Sequence, residues 1–290
     1  MADLYWQLIS WHSPWSMWLV GFLAALAFQT IMFVIATRLR RDDLVDVGWG
    51  LSFVILVWTW WPIGQSSWSQ LNTWVGTLIA VMITVWGLRL SVHILVRFLK
   101  SSKEDVRYTE LKAGWSNQSL ISRYLRIYVV QALLASLVAL PAFIVLISCG
   151  ASSWPLDSNQ IRLIWIFVGV WAAGFTIEMV ADWQLQSFLR RRTGHTTMQS
   201  GLWRYSRHPN YFGELVQWWA IGLLASLGII ELLPKVDTMV WASLFGPALL
   251  SYLIIKVSGI PPAEARAAKR PDWAEYRRRT SVLIPLPPRR

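Results

Sequence analysis

One cysteine, Cys149, in 290 residues leaves no intrachain disulfide framework and no thiolate cluster for zinc or an iron–sulfur centre. It reads as a small apolar filler near a helix end. Charge is equally scarce: Asp, Glu, Lys and Arg make up 15% of the chain, against 55% hydrophobic residues, and the mean hydropathy is +0.41. Ordinary soluble domains carry about 25% charged residues, so that class is excluded and lipid becomes the solvent to reason against. No internal repeat, low-complexity tract or long linker is present, which leaves residues 1–290 as one expected transmembrane domain with cytosolic loops and tail. The Gly-x-Gly-x-x-Gly fingerprint of soluble dinucleotide-binding folds is absent too. Ahead of the first apolar run stand Asp3 and no Lys or Arg, and no small-residue cleavage site follows, so that run reads as a retained span.

What the sequence does have is apolar length. Runs at Met17 to Thr37, Leu44 to Trp61, Trp74 to Ile94, Tyr128 to Ile147, Ile161 to Val180, Phe212 to Leu233 and Met239 to Val257 each approach the roughly 20 residues that cross a bilayer. The expected fold is an all-α bundle of about seven transmembrane helices. Of the 27 Lys and Arg, 24 fall in Arg38–Asp43, Arg97–Arg126, Trp183–Pro209 and the tail from Lys256. With seven spans those segments share one face, which the positive-inside rule makes cytosolic. The intervening segments Pro62–Asn72, Ser148–Gln160 and Glu231–Thr238 hold only Lys235. The expected N-terminus is outside and the C-terminus is cytosolic. Net charge +11 is then a topological signal rather than a nucleic-acid footprint, since no nucleic-acid-binding motif accompanies it. Among the 21 Trp, those at Trp11, Trp15, Trp18, Trp58, Trp60, Trp61, Trp68, Trp74, Trp154 and Trp165 read as an interfacial belt at the opposite rim.

Ionisable groups inside spans are expensive and are paired or functional. Here they gather toward the basic face: Asp46 opens the second run, Arg89 and His93 close the third, Glu178 and Asp182 close the fifth, and Glu214 with Gln217 opens the sixth. Spacings of four put Arg89, His93 and Arg97 on one helical face and Glu178 and Asp182 on another. Gln29 and Gln131 lie deeper and read as interhelical hydrogen bonds. The basic stretch Lys100 to Arg123, broken by Gly114 and Asn117, reads as a helix extension and loop that could act as a lid.

The densest constellation is Gly201-Leu202-Trp203-Arg204-Tyr205-Ser206-Arg207-His208-Pro209-Asn210-Tyr211-Phe212-Gly213-Glu214. Arg207 can fork onto a phosphate, and the amides after Pro209 open a helix whose N-terminus favours an anion. Asn210 can donate to and accept from a carboxamide, and Gly213 admits a flat ring close to the backbone.

From Arg204 to Glu214 this stretch resembles the signature of bacterial membrane proteins of the steroid 5-alpha-reductase-like group (DUF1295). Asp46-Val47-Gly48-Trp49-Gly50, Arg89-Leu90-Ser91 with His93 and Arg97, Glu104-Asp105-Val106-Arg107-Tyr108, and Ala181-Asp182-Trp183-Gln184 with Phe188 are similar to the same pattern. So is the tail, through Ser258-Gly259-Ile260-Pro261 and Glu275-Tyr276-Arg277-Arg278-Arg279-Thr280-Ser281. The resemblance implies a seven-helix bundle in the bacterial inner membrane whose cytosolic ends hold NADPH, with a hydride passing to an electron-poor carbon–carbon double bond of a steroid or other lipid enone. It implies that Asn210, Arg207, His208, Tyr211 and Glu214 line the nicotinamide end and its phosphates, and that Asp182, Arg107, Asp105 and Tyr276 hold the ribose and adenosine parts. Arg89, Arg97, Tyr108 and Tyr205 complete the implied cofactor-binding set, and no metal is implied. The chain lacks the Glu–Tyr pair that polarises the carbonyl in the animal reductases, so Asp46, or in its place His93, takes that role.

The Arg-His-Pro-x-Tyr-x-Gly element also resembles S-adenosylmethionine-dependent membrane methyltransferases of prenylcysteine or phospholipids. Asn210, Glu214 and the Asp182 segment favour the reductases, and Glu264 lacks the adjacent glutamate typical of the methyltransferase tail. A non-enzymatic receptor or permease is the third class, although a permease would place polar groups near the bilayer midplane. Membrane lipids and an apolar substrate are the expected partners.

Overall fold

The computed structural model describes residues 13–65, 73–115, 119–151, 156–192, 194–232 and 237–289. Trp11, Trp68, Asn117, Trp154 and Lys235 lie outside the described residues, as does the side chain of Cys149. The described residues form α1 (Pro14–Leu39), α2 (Leu44–Gln65), α3 (Thr73–Lys100), α4 (Val106–Ala113), α5 (Leu120–Val138), α6 (Leu140–Ala151), α7 (Ser158–Arg191), α8 (Pro209–Leu232), α9 (Asp237–Tyr252), α10 (Ile260–Ala267) and α11 (Trp273–Arg279). Among them six stretches are long and apolar enough to cross a membrane: Pro14–Leu39, Leu44–Pro62, Trp74–Lys100, Leu120–Val138, Ser158–Arg191 and Val240–Ala267. The chain is a multi-pass membrane protein by that measure. The run expected at Phe212 to Leu233 falls on α8, which begins three residues earlier with Pro209 as its first residue.

Two compact units divide the chain, Met1–Asp157 with Ala225–Phe245, and Ser158–Leu224 with Gly246–Arg290. In the first, α2 packs against α1, α3 and α6. Small residues allow that. A Cβ on Gly50 would stand 2.3 Å from the Gly87 carbonyl oxygen, and one on Gly87 would stand 2.6 Å from that of Gly50, so the backbones of α2 and α3 touch. Gly21 on α1 gives the same room to Trp60, whose indole N–H donates to the Met17 carbonyl at 3.1 Å. Trp49, Phe53 and Trp86 continue the core edge to face, with centroids 5.1 and 5.2 Å apart. Gln29 donates to Ser52 Oγ at 2.9 Å, an interhelical bond of the expected kind.

Start and stop signals act as chemistry requires. Ser13 caps α1 by accepting from the Ser16 amide, with Pro14 following. Arg40 ends α1 in the left-handed region at φ 55, and the chain turns at once into Asp42 and Asp43. The fourth expected run, Tyr128 to Ile147, is framed differently: α5 starts at Leu120, and Ala139 separates it from α6, which carries Pro141 in its first turn. Proline's missing N–H interrupts the ladder there. Within α5, Tyr124–Val129 is a π-helical turn, and a second one, Leu253–Val257, follows α9.

In the other unit, Gly174 on α7 and Gly213 on α8 face each other, each Cβ position lying 2.7 and 2.5 Å from the opposite carbonyl oxygen. The tail returns to the segment before α8: Ser206 and Ser281 form a parallel bridge, the Ser206 hydroxyl donates to Leu283, and the Leu286 amide donates to Tyr205.

Candidate functional site

The residues singled out in the sequence fall into one group in each unit. In the first, Asp105 caps α4 by accepting from the Arg107 amide at 3.0 Å. That fixes Arg107 and Tyr108 above the start of α2. Arg107 Nη2 donates to Asp46 Oδ2 at 2.7 Å, and the Tyr108 hydroxyl donates to Asp46 Oδ1 at 2.6 Å. Arg107 also holds Asp105, at 3.1 and 3.0 Å. Burial opposes the Arg107 charge, but Asp46 and Asp105 outweigh it and raise its pKa. Burial, and then Asp46, push the Tyr108 phenol well above its ordinary value. Both Asp46 oxygens are therefore acceptors. A carboxylate held in this way donates no proton to a carbonyl, so the polarising role expected of Asp46 does not follow from its geometry.

Arg97 lines a cavity of about 140 Å³ with Arg41, Asp43, Phe98, Lys103 and Asp105. Arg41 lies over the Phe98 ring at 3.7 Å, bonds Asp43 at 3.1 and 2.8 Å, and donates to the Phe98 and Ser101 carbonyls. Arg89 and His93 stand on the same α3 helix, partly buried.

Next to this group is a network that sequence reasoning missed. Asp42, fully buried, accepts from Lys112 at 2.8 Å, from Arg123 at 3.0 and 2.5 Å, and from the Tyr128 hydroxyl at 3.3 Å. Glu104 accepts from Lys112 and from the Asp42 amide, both at 2.8 Å. Burial alone would raise the Asp42 pKa; the Arg123 and Lys112 bonds and charges outweigh it and lower it. The stretch read as a possible lid is thus tied to the α1–α2 turn at both ends of α4. Its one signal in sequence is the Asp42-Asp43 pair directly after Arg40-Arg41.

In the second unit, Asn210 Nδ2 donates to Asp182 Oδ1 at 3.2 Å. The Asn210 side-chain carbonyl oxygen is buried and has no hydrogen-bond partner among the described residues. Exchanging the two amide atoms would set oxygen against carboxylate, so the orientation is fixed by charge. One helical level further, Gln217 Nε2 donates to Glu178 at 2.8 Å. The His208 ring stacks on Tyr211 at 5.4 Å and 14° and lies 3.4 Å from Glu264. Burial lowers the His208 pKa to about 4, so its imidazole is neutral near pH 7. Glu214 is buried one turn after Asn210, and Tyr205 is exposed.

Arg207 departs from its expected role. Its Nε donates to Glu264 at 2.8 Å, and Nη1 donates to the Arg277 and Thr280 carbonyls at 2.9 and 2.6 Å. A guanidinium fixed by three partners clips the tail instead of presenting a fork to a phosphate. The Tyr276 hydroxyl is likewise buried and donates to the Trp203 carbonyl at 2.6 Å, which makes it a bolt beneath the same loop rather than a hand on a ribose. Glu264, solitary in sequence, is the hub that Arg207 and His208 share. Substituting Arg207 by alanine is expected to cost about 2 kcal/mol, from charge-assisted bonds lost at a partly buried site. Limited proteolysis would report it as faster cleavage after Arg277 and Arg278, and a cleavage rate equal to wild type would contradict the clip.

No curated protein and no solved structure matches the chain. A family described as "Protein of unknown function (DUF1295)" matches residues 32–280, which takes in both groups and the tail as far as Thr280. The chain belongs to the DUF1295 family.

Proposed function

We propose that the protein is an NADPH-dependent reductase embedded in the bacterial inner membrane, acting on the carbon–carbon double bond of a lipid enone. The reading takes α8 as a seventh span, with the N-terminus outside and the basic loops and tail in the cytosol, where the cofactor is dissolved. The observation that supports it best is the buried Asn210 side-chain carbonyl oxygen, an acceptor with no donor among the described residues. Burying such a group unpaired costs about 1–3 kcal/mol, and a carboxamide N–H would satisfy it.

Asp182 orients the Asn210 amide, and Gly213 opens the backbone beside it. His208, stacked on Tyr211, offers a flat neutral wall. When bound, NADPH would supply the hydride. Asp46 is fixed as an acceptor by Arg107 and Tyr108, so it is not the group assigned to donate to the developing oxyanion.

Calorimetry on the detergent-solubilised protein with NADPH and S-adenosylmethionine separates this reading from the methyltransferase one. Binding of NADPH alone is the expected result, and binding of S-adenosylmethionine alone would replace the reading. Asn210→Ala is expected to weaken NADPH about tenfold with the fold intact, as for one buried hydrogen bond. Unchanged affinity in that variant would remove the carboxamide contact.

A further inference from the structure

The tail-bearing unit, Ser158–Leu224 with Gly246–Arg290, carries an open cavity of about 410 Å³, and Tyr276 and Thr280, whose contacts are described above, help to line it. Its lining includes Gln199, Ser200, Gly201, Arg204, Arg279 and Thr280, and no acidic side chain. Two guanidinium groups therefore border one space from separate segments. Arg204 is exposed, and its side chain has no ion-pair or hydrogen-bond partner among the described residues. The Arg279 side chain pairs with Glu275 among the described residues, at 3.2 Å with both side chains more than half exposed, where such a pair holds little energy. The half-buried Asp272 carboxylate is engaged by the Thr197 amide and hydroxyl and by Gln199.

The wall between the two arginines is built firmly. Gly201 sits at φ 62, in the left-handed region, and the Gln184 amide fills the space its Cβ would take, at 2.5 Å. Gln184 Oε1 also accepts from the Leu202 amide at 3.0 Å, which fixes the turn carrying Ser200 and Arg204. The Ser200 hydroxyl contacts only the Met198 sulfur, at 3.7 Å, a weak acceptor. Two cations and a hydroxyl donor bordering one space, with only the exposed Glu275 paired to one of them, favour an anion, and planar guanidinium forks match the oxygens of a phosphate. The volume lies within the roughly 300–1,000 Å³ of small-molecule sites and far exceeds a bare phosphate, so the anion carries an organic group.

We propose that this cavity binds a phosphate monoester carried on a small organic group, with the phosphate forked between Arg204 and Arg279 and the Ser200 hydroxyl donating to it. Under the reductase reading, on which this identification rests, that group is the 2′-phosphorylated adenosine end of NADPH. The phosphate chemistry itself does not depend on that reading. An anionic lipid headgroup presents the same oxygens from the bilayer side.

The test is titration of 2′,5′-ADP into the full-length protein in phosphatidylcholine nanodiscs, with Arg204→Gln, Arg279→Gln and the double variant alongside. Binding to wild type, about tenfold weaker in each single variant and lost in the double, is the expected result. No binding to wild type, or equal affinity in the double variant, would overturn it. Because both arginines are exposed, the variants are expected to keep wild-type helicity and unfolding midpoint. Loss of wild-type 2′,5′-ADP binding on moving to phosphatidylglycerol discs would assign the cavity to a lipid phosphate, and undiminished binding assigns it to the nucleotide. NADPH titrated in parallel separates the two ideas. Arginine-dependent 2′,5′-ADP binding without NADPH binding would end the reductase reading and leave the phosphate site standing. Wild-type NADPH affinity in the double variant would do the opposite.

Discussion

Replacing Asp42 by alanine is expected to destabilise the protein by about 3 kcal/mol, the lower end of what removing one member of a buried ion cluster costs. The lower end applies because Lys112 and Arg123 keep 17% and 18% of their side-chain surface and can recover some hydration. Asp42 itself keeps none, three side chains converge on its carboxylate, and its amide donates to Glu104. The loss should therefore not be local: α4 and the start of α5 are both tied to the α1–α2 turn through this carboxylate. Arg107 and Tyr108 ride on α4, so their bonds to Asp46 should loosen with it. Hydrogen exchange along residues 104–128, compared between wild type and Asp42→Ala, reads this directly. Protection unchanged in the variant would mean that the helix is held by something else.

The same carboxylate gives a pH dependence of definite sign. Its pKa is lower in the folded protein than in the unfolded chain, so its contribution is complete above the unfolded value of about 3.9. It is lost as pH falls toward the folded value. His208 adds a term at higher pH: neutral in the fold down to about 4, it is protonated near 6.5 when unfolded, so stability drains as pH falls between those values. In Asp42→Ala the part of the acid limb below about pH 4 should flatten while the His208 part persists.

Gly87→Ala is the second large effect. The added methyl would sit 2.6 Å from the Gly50 carbonyl oxygen and 3.1 Å from a Val54 methyl. A side chain could turn aside, but a carbonyl inside a helix cannot, so α2 and α3 must separate along their whole contact. That places the cost at about 3 kcal/mol, the upper end of overpacking. Gly169→Ala on α7 is the matched control, because nothing stands within 4 Å of its Cβ position. Its effect should stay within about 0.5 kcal/mol. Unfolding midpoints in one detergent suffice for the comparison, and equal midpoints for the two variants would mean that the α2–α3 approach is not a fixed contact.

Much of the helical layout was legible because apolar length is a local property. Runs around Phe28, Phe53 and Ile83 lie wholly inside α1, α2 and α3. The fourth apolar run begins at Tyr128, eight residues after its helix does, because Arg123 and Arg126 interrupt the apolar length. Arg123 is neutralised by Asp42, and Arg126 lies over the Trp115 ring at 5.1 Å, so the helix continues through both. Neither partner is visible from within the run. The kink at Ala139 was in plain view as Pro141.

The candidate site divides along the same line. Asn210 and Asp182, 28 positions apart, are both singled out by the family resemblance but assigned to different parts of the cofactor, and the structure bonds them to each other. Arg207 and Tyr276 were matched by the same pattern but carry a load that only the folded tail reveals. A motif records which residues occur together and not whether their hydrogen-bonding capacity is already committed. The Asp42 cluster was invisible for a different reason: its members lie between 62 and 86 positions from Asp42, without periodicity.

The tail clip also fixes an order of assembly. Arg207, Ser206 and Tyr205 are bonded by Arg277, Thr280, Ser281, Leu283 and Leu286, all of which follow the last membrane-crossing stretch in the chain. During synthesis at roughly 5–20 residues per second, the helices enter the bilayer while those clasping residues are still on the ribosome. The loop before α8 therefore waits unlatched for several seconds in each newborn molecule. A chain stalled between Ala267 and Arg277 would carry every described membrane-crossing stretch and none of the residues that close the latch.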